Sequence, residues 1–320
     1  MSRVVVVGSF NQDFIWRTPT FPVPGETRLG QFSTGAGGKG FNQAVAAARQ
    51  GAQVTFIGAL GRDAVGENAA ALAQAEGIDA RWQWCEGEAT GTAAIVLDGH
   101  GQNLIIVGSG ANLALDAEHV QRQFDSLAGA CVLLTQHEVT PAATRRALHL
   151  ARATGMTTLH NPAPPLADED SALLPLVDIL TPNETEFAHL LARHAGMDLD
   201  PALLPTLADA ELHALARRLP VPTLVLTLGA AGAFVSHQHQ EHRNDVAPFY
   251  RVAPAAVTPQ DTTGAGDAFS GALAAALAEL GDAPFASAAC HASRVAGLAT
   301  ESPGAAAGMP TREAVQARFG

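Results

Sequence analysis

The run Asp261-Thr262-Thr263-Gly264-Ala265-Gly266-Asp267-Ala268-Phe269 leads a glycine-broken turn straight into a helix of mostly Ala and Leu that reaches Leu280. Gly264, Ala265 and Gly266 bring no side chain that would block a ligand. Their N–H groups and the positive end of the helix dipole can therefore close around a phosphoryl group. Asp267 is the odd member of such an anion site. A bound polyphosphate repels a carboxylate, so Asp267 fits poorly as a phosphate ligand and well as a base that takes a proton from an attacking hydroxyl. The turn reads as a phosphoryl-transfer site, against the alternative of an ordinary helix N-terminus with an acidic first turn.

A second glycine stretch, Gly35-Ala36-Gly37-Gly38-Lys39-Gly40, satisfies Gly-x-Gly-x-x-Gly. A dinucleotide site would need a strand just before the glycines and an acid ending the next strand. Here a proline-rich segment precedes them, and the next strand ends in Gly58-Ala59. A P-loop is excluded as well, because Ser33 falls on its first glycine and Gly40 on its Ser/Thr. What remains is a glycine loop at a helix start, with Lys39 and Asn42 beside it, suited to a hydroxyl-rich ligand or else packed under neighbouring strands. Asn11 and Asp13 lie just beyond the first strand, where Asp13 could accept two hydroxyl protons from one sugar, unless the pair simply forms a polar turn. Asn183 and Glu186 have the spacing of a helix capping box. His237, His239 and His242 invite a metal reading, rejected because only Glu241 could support it and because Gln238 and Gln240 make the run look like a solvated hairpin tip.

The elements that must carry these residues alternate between strand and helix. Val4 to Val7, followed by Gly8-Ser9, is a buried strand that opens a parallel sheet. Phe10 to Phe32, with Pro19, Pro22, Pro24 and Gly25, is too broken for a helix and reads as a small β extension. Helix 40–50, strand 54–57, a loop over 58–66 and helix 68–76 follow. Thr92 to Leu97 and Asn103 to Val107 then flank Asp98-Gly99-His100-Gly101, a hairpin signal. That hairpin could pair with the extension, making a lid of residues 10–35 and 92–107 over the carboxyl edge of the sheet. Helix 117–128, strand 130–134, helix 140–154, strands 156–159 and 177–181, a helix entered at Asn183, helix 208–218, strand 223–227 and short strands over 232–257 complete the βα pattern. The fold class is a three-layer α/β/α, doubly wound, mostly parallel sheet with a small β-sheet lid, in one unit spanning residues 1–320. A net charge of −12, from 19 basic and 31 acidic residues, argues against nucleic acid or an anionic membrane as partner. Cys85, Cys131 and Cys290 form no pair at metal or disulfide spacing, and the opening apolar run is too short for export, so a cytoplasmic protein is expected.

Asp261 to Phe269 resembles the C-terminal signature of the ribokinase family of sugar and nucleoside kinases. Gly35 to Ala44 resembles the N-terminal half of that signature. Thr181-Pro182-Asn183-Glu184-Thr185-Glu186 and Thr227-Leu228-Gly229 lie between them in the family's order, so the likeness spans nearly the whole chain. It implies an ATP-dependent sugar kinase with the sugar against Asn11, Asp13, Gly38, Lys39, Asn42 and Glu138, and with Asp267 as base beside the anion hole of Gly264, Ala265 and Gly266. ATP would run over Asn183, Thr227, Gly229 and Gly266. His291 would flank the adenine or else lie on a helix surface, and His137 would be a loop residue. Glu186 would act indirectly near Mg²⁺. Potassium would sit behind the turn with Asp261, Thr263 and carbonyls near Ala299, Ser302 and Gly304, and two chains would pair through their lids. Gly308 stands where the family leads one to expect Ser, and Phe41 where it leads one to expect a small residue. The almost wholly polar pocket predicts D-ribose as acceptor, provided that a regular strand turns Phe10, Phe14 and Trp16 away from Asn11 and Asp13. A nucleoside kinase or another sugar kinase of the same family is the nearest alternative. A non-catalytic sugar-binding protein and a nicotinamide oxidoreductase are more distant ones.

Overall fold

A computed structural model describes residues 3–127, 129–166, 172–239 and 242–320. The chain opens with β1 (Arg3–Val7), whose four valines alternate between two hydrophobic cores: Val4 and Val6 join one, Val5 and Val7 the other. A strand buried on both faces needs a layer on each side, and that requirement sets the architecture.

Next come β2 (Asn11–Arg17), β3 (Gln31–Gly37), α1 (Lys39–Arg49), β4 (Gln53–Gly61), α2 (Ala64–Ala75), β5 (Asp79–Cys85), β6 (Thr92–Leu97) and β7 (Asn103–Gly108). The middle of the chain carries α3 (Ala117–Phe124), β8 (Val132–Thr135), α4 (Pro141–Ala153), β9 (Thr157–His160), β10 (Ile179–Leu180), α5 (Glu184–Ala195), α6 (Asp209–Ala216) and β11 (Thr223–Thr227). It closes with β12 (Ala233–His237), β13 (Phe249–Val252), α7 (Ala265–Glu279), α8 (Phe285–Ala299) and α9 (Arg312–Phe319).

Among the described residues the large sheet has nine strands in the order β13-β12-β11-β10-β9-β8-β1-β4-β5, parallel except where β12 pairs with β11 and β13. Residues of α1, α2, α7, α8 and α9 fill one core and those of α3, α4, α5 and α6 the other. The chain runs from β1 outward to β4 and then returns to β8 on the other side of β1, so the β1/β8 gap is the switch point at which open α/β sheets form a crevice.

The small sheet, in the order β3-β2-β6-β7, is the expected union of the extension and the hairpin, with β2 and β6 in parallel register. The expected loop over residues 58–66 gives way. Residues 58–61 continue β4 instead of looping, pairing with 82–85 of β5, an edge strand that sequence reading leaves unassigned. Gly58 makes that pairing possible, since a Cβ there would stand 2.6 Å from Phe56 and 2.9 Å from the Gly8 carbonyl oxygen. The loop then shrinks to Arg62-Asp63, where Asp63 Oδ1 caps α2 by accepting from Gly66 N at 2.7 Å.

Candidate active site

At the carboxyl ends of β1 and β8, Ser9 Oγ donates to Glu138 Oε2 at 2.5 Å, and the same oxygen accepts from Lys39 N, the first N–H of α1, at 2.9 Å. The Glu138 carboxylate thus sits on a helix N-terminus and ties the glycine loop to the switch point. Gly38 enters α1 with φ 86°, a conformation that favours glycine, and a Cβ there would stand 2.7 Å from Asn11 N. Asn11 Oδ1 accepts from Asn112 Nδ2 at 2.9 Å, and Asn112 also brackets Phe10 through its backbone N and O.

Asp13 leaves β2 on the same face as Asn11. Burial, reinforced by the charge of Glu138, pushes its pKa up to about 6. Burial works against the Lys39 ammonium, yet the charges of Asp267, Glu138 and Glu186 outweigh it and hold the pKa above its ordinary value. Lys39 is therefore the cation of an otherwise acidic centre.

Helices α1 and α7 start at this same end of the sheet and pack closely along their length. A Cβ on Gly271 would stand 2.3 Å from the Gln43 carbonyl oxygen, so glycine permits the approach. That packing delivers Asp267, 6% exposed, to Asn42 Nδ2, which donates to its Oδ2 at 2.9 Å, and to Gln43 Nε2, which donates to its Oδ1 at 2.9 Å. A carboxylate offers about four acceptor sites. Two are taken, leaving room for an incoming hydroxyl. Asn42 Oδ1 is buried with no partner among the described residues, an acceptor still to be used. At the start of α7, Gly264 adopts φ 77° and a Cβ on Gly266 would meet nothing within 4 Å, so the first-turn N–H groups of Gly266 and Asp267, which have no intrahelical partner, are open to an anion.

Asn183 and Glu186 form the complete capping box. Asn183 Oδ1 accepts from Glu186 N at 2.9 Å, and Asn183 N donates to Glu186 Oε2 at 2.8 Å. Burial raises the Glu186 pKa to about 6, against the Asn183 hydrogen bond and the Lys39 charge. Thr227 Oγ1 donates to the Pro182 carbonyl at 3.3 Å, while Gly229 lies exposed beyond β11 with φ 50°. Among the described residues, no group of three or more His, Cys, Asp or Glu side chains could hold a metal ion unaided. Glu186 at the acidic edge fits Mg²⁺ that keeps its waters and takes its remaining oxygens from bound phosphates.

Behind the turn, Asp261 accepts from Thr263 N at 2.9 Å and from Gly304 N at 3.0 Å. Burial raises its pKa, but these hydrogen bonds outweigh burial and keep it below the ordinary carboxylate value. An anionic Asp261 beside Gly304 is a hard oxygen donor of the kind that suits a monovalent cation, while Ala299 ends α8 and its carbonyl accepts from Ser302 N at 3.3 Å. A Cβ on Gly308 would lie 2.4 Å from the Gly304 carbonyl oxygen, which explains glycine where the resemblance suggests serine. A cleft of about 990 Å³ separates Asp261-Thr262-Thr263 from Arg17, Gly30 and Asp98 of the small sheet.

Several expectations take a different form. His291 is not brought to the acidic centre: its Nε2 pairs with Gln50 Oε1 at 3.1 Å, at the far end of α1. Eleven residues at 1.5 Å each put that contact ~16 Å along the helix from Lys39, so His291 is remote from the reacting centre, at a distance where the adenine end of ATP rather than its γ-phosphate would lie. His137 is no plain loop residue, because it is buried with Nε2 2.8 Å from His160 Nε2. His237 is not part of a solvated tip but fully buried in β12, between Thr223 Oγ1 at 3.1 Å and Asp245 Oδ2 at 2.9 Å. Gln240 and Glu241 of that run lie outside the described residues, as does the side chain of His242. Phe41 points into the core, edge-on to Phe10 at 5.1 Å and to Phe56 at 6.1 Å, and takes no pocket space. Sequence reading missed Ser9, Gln43, Asn112, Gln136 and Asn161, whose roles depend on neighbours distant in the chain.

Comparisons with known proteins agree with this geometry. The model of the pfkB family carbohydrate kinases matches residues 1–312. A ribokinase of Mus musculus is 39% identical over 280 residues, covering 87% of this chain and 82% of its own. The solved ribokinase of Thermotoga maritima superposes with a TM-score of 0.85 at 28% identity, covering 100% of this chain and 99% of its own. Arabidopsis thaliana ribokinase, solved with ribose and ATP, gives a TM-score of 0.77 at 30% identity, covering 99% and 98%. With the family's pattern matched from end to end and the acidic centre assembled at the switch point, the chain belongs to the pfkB family of carbohydrate kinases.

Proposed function

We propose that this kinase transfers the γ-phosphoryl group of ATP to the 5-hydroxyl of D-ribose, yielding ribose 5-phosphate and ADP. The observation that carries the reading is the Asp267 carboxylate. It is held by two carboxamides at the open N-terminus of α7. β2 is a regular strand in unbroken register with β3. Phe14 and Trp16 therefore lie on the face opposite Asn11 and Asp13, against Phe32 at 6.3 Å and 5.2 Å, while Phe10 is buried in the core. That face suits a free sugar better than a nucleoside base.

In this mechanism Asn11, Asp13, Gly38, Lys39, Asn42 and Glu138 orient the sugar under the small sheet acting as a lid. ATP lies over Asn183, Thr227 and Gly229. Asp267 takes the hydroxyl proton as the oxygen–phosphorus bond forms and the bond from the γ-phosphorus to the bridging oxygen breaks. The open N–H groups at the start of α7, those of Gly266 and Asp267 with Gly264 shaping the turn, stabilise charge on the transferring group, while the Ala265 N–H holds the turn by donating to the Thr262 carbonyl at 3.2 Å. Glu186 would act near Mg²⁺, which when bound with ATP would neutralise the charge of the polyphosphate. Asp261 and Thr263, with carbonyls near Ala299, Ser302 and Gly304, would hold a potassium ion, which would supply order to the turn. The free cysteines Cys85, Cys131 and Cys290 are consistent with the reducing cytoplasm.

A coupled ADP-release assay tests the reading. The expected result is a kcat/KM for D-ribose at least about tenfold above adenosine, fructose or tagatose, because buried polar groups left unpaired discriminate strongly. Activity is also expected to be higher in potassium than in a large organic cation. A nucleoside outperforming ribose would replace the acceptor assignment, and equal rates in the two cations would remove the potassium site.

The edge strand β7 exposes Leu104, Ile105, Ile106 and Val107, from 51% to 76% each, and an apolar edge of this kind is suited to pairing with a second copy. A homodimer is expected by light scattering at assay concentration, shifted toward monomer by Ile106→Lys. A monomeric wild-type chain would end that proposal.

A further inference from the structure

Gln43 is fully buried one residue past Asn42, and the proposed mechanism leaves it unused. Its Nε2 donates to Asp267 Oδ1 at 2.9 Å and to Asn161 Oδ1 at 3.1 Å, and its Oε1 accepts from Gln136 Nε2 at 2.6 Å. The direction of this chain is set at its ends by groups that only accept. Asp267 is one. The other is the Thr181 carbonyl, which takes Asn161 Nδ2 at 2.8 Å. Asn161 must therefore turn its oxygen toward Gln43, and Gln43 must turn its amide nitrogen toward both Asn161 and Asp267. Its oxygen is left for Gln136. A flipped Gln43 amide would set its oxygen against two other oxygens. Gln136 and Asn161 follow β8 and β9, so three separate parts of the fold hold one amide in one orientation.

We infer that Gln43, aimed by Gln136 and Asn161, is a positioning residue that points the Asp267 carboxylate at the acceptor hydroxyl. This rests on the reading of Asp267 as the base. Asn42 alone pins one carboxylate oxygen and leaves the group free to turn about its χ2 bond. Gln43 on the second oxygen stops that rotation, and proton transfer depends on such alignment. The close packing of α1 on α7 at Gly271 keeps the backbone of Gln43 in register with Asp267.

The experiment compares Gln43→Met, similar in shape but unable to donate, with Asp267→Asn and with the double variant. Kinetics are measured in the ribose assay, and ribose and ATP affinities by calorimetry. Gln43→Met is expected to lower kcat by about 10–100-fold, the size of a lost hydrogen bond to a charged group, while both affinities stay within about threefold. Added to Asp267→Asn, it should cost nothing further, since residues that act as a unit are not additive. Gln136→Met should show the same pattern with a smaller loss. A Gln43→Met enzyme within about twofold of wild-type kcat, or one whose loss multiplies fully with that of Asp267→Asn, overturns the inference. If Gln43→Met does not fold, Gln136→Met is read in its place, and unchanged kcat there overturns it equally. A nearly normal Asp267→Asn enzyme would instead overturn the assignment of the base.

Discussion

Asp267→Asn is expected to lower kcat by roughly 10²–10⁴ while ribose affinity and fold persist, the usual contribution of a general base. The substitution keeps the size of the side chain and one oxygen that Asn42 or Gln43 can still reach, so the lost activity reflects the missing proton acceptor. Asn42 and Gln43 occupy two of the carboxylate's acceptor sites. A hydroxyl arriving on a third finds the acid already oriented. Single-turnover kinetics with calorimetric ribose binding give the decisive comparison: a kcat close to wild type would refute the assignment, and lost ribose binding would make Asp267 a sugar ligand first.

Asp13→Ala is expected to reduce kcat/KM for ribose by the equivalent of about 3–6 kcal/mol, two hydrogen bonds to a charged acceptor at about 1.5–3 kcal/mol each. The same residue gives the enzyme a pH dependence whose two signs oppose each other. Burial and the Glu138 charge raise the Asp13 pKa from 3.8 to about 6. The protonated form loses acceptor sites for sugar hydroxyls, so the KM for ribose is expected to climb as the pH falls through about 6. Stability moves the other way. A group whose folded pKa is raised stabilises the fold below its unfolded value and loses that contribution as pH rises through the folded value, here the window from 3.8 to about 6. Asp13→Asn is then expected to raise the melting temperature of the sugar-free protein at neutral pH while weakening ribose binding. A ribose KM that stays flat from neutral pH to about pH 5 would dismiss Asp13 as a sugar contact, and a melting temperature that falls in Asp13→Asn would contradict the burial argument. Glu186, also raised to about 6, adds to the stability change in the same direction, so the comparison is made between wild type and the Asp13 variant at each pH.

The sequence by itself determined the layers and the chemistry of the turn. Four consecutive valines demand a core on each side of a strand. A glycine turn running into an Ala-rich helix with one acid in its first turn is a local pattern. The capping box of Asn183 and Glu186 is complete within four residues, whereas the regularity of β2, on which the polar pocket depends, is seen only in its pairing with β3. Where several residues compete for one role, local pattern was not enough. Gly58 to Gly61 looked like a loop because glycines interrupt strands, yet close contacts with Phe56 and the Gly8 carbonyl make glycine the residue that lets β4 continue there. Sequence reads His237 as part of a solvated tip and His291 as an adenine neighbour or a helix-surface residue, since spacing cannot say which histidine meets Asp245 in the core and which meets Gln50 past the end of a helix. The centre around Asp267 belongs to the tertiary structure alone. Gln43 stands 224 residues from Asp267, and Gln136 stands 93 residues from Gln43. Hydrogen bonds between side chains so far apart in the chain leave no periodicity in sequence, and only the packing of α1 on α7 at the ends of β8 and β9 brings them within reach.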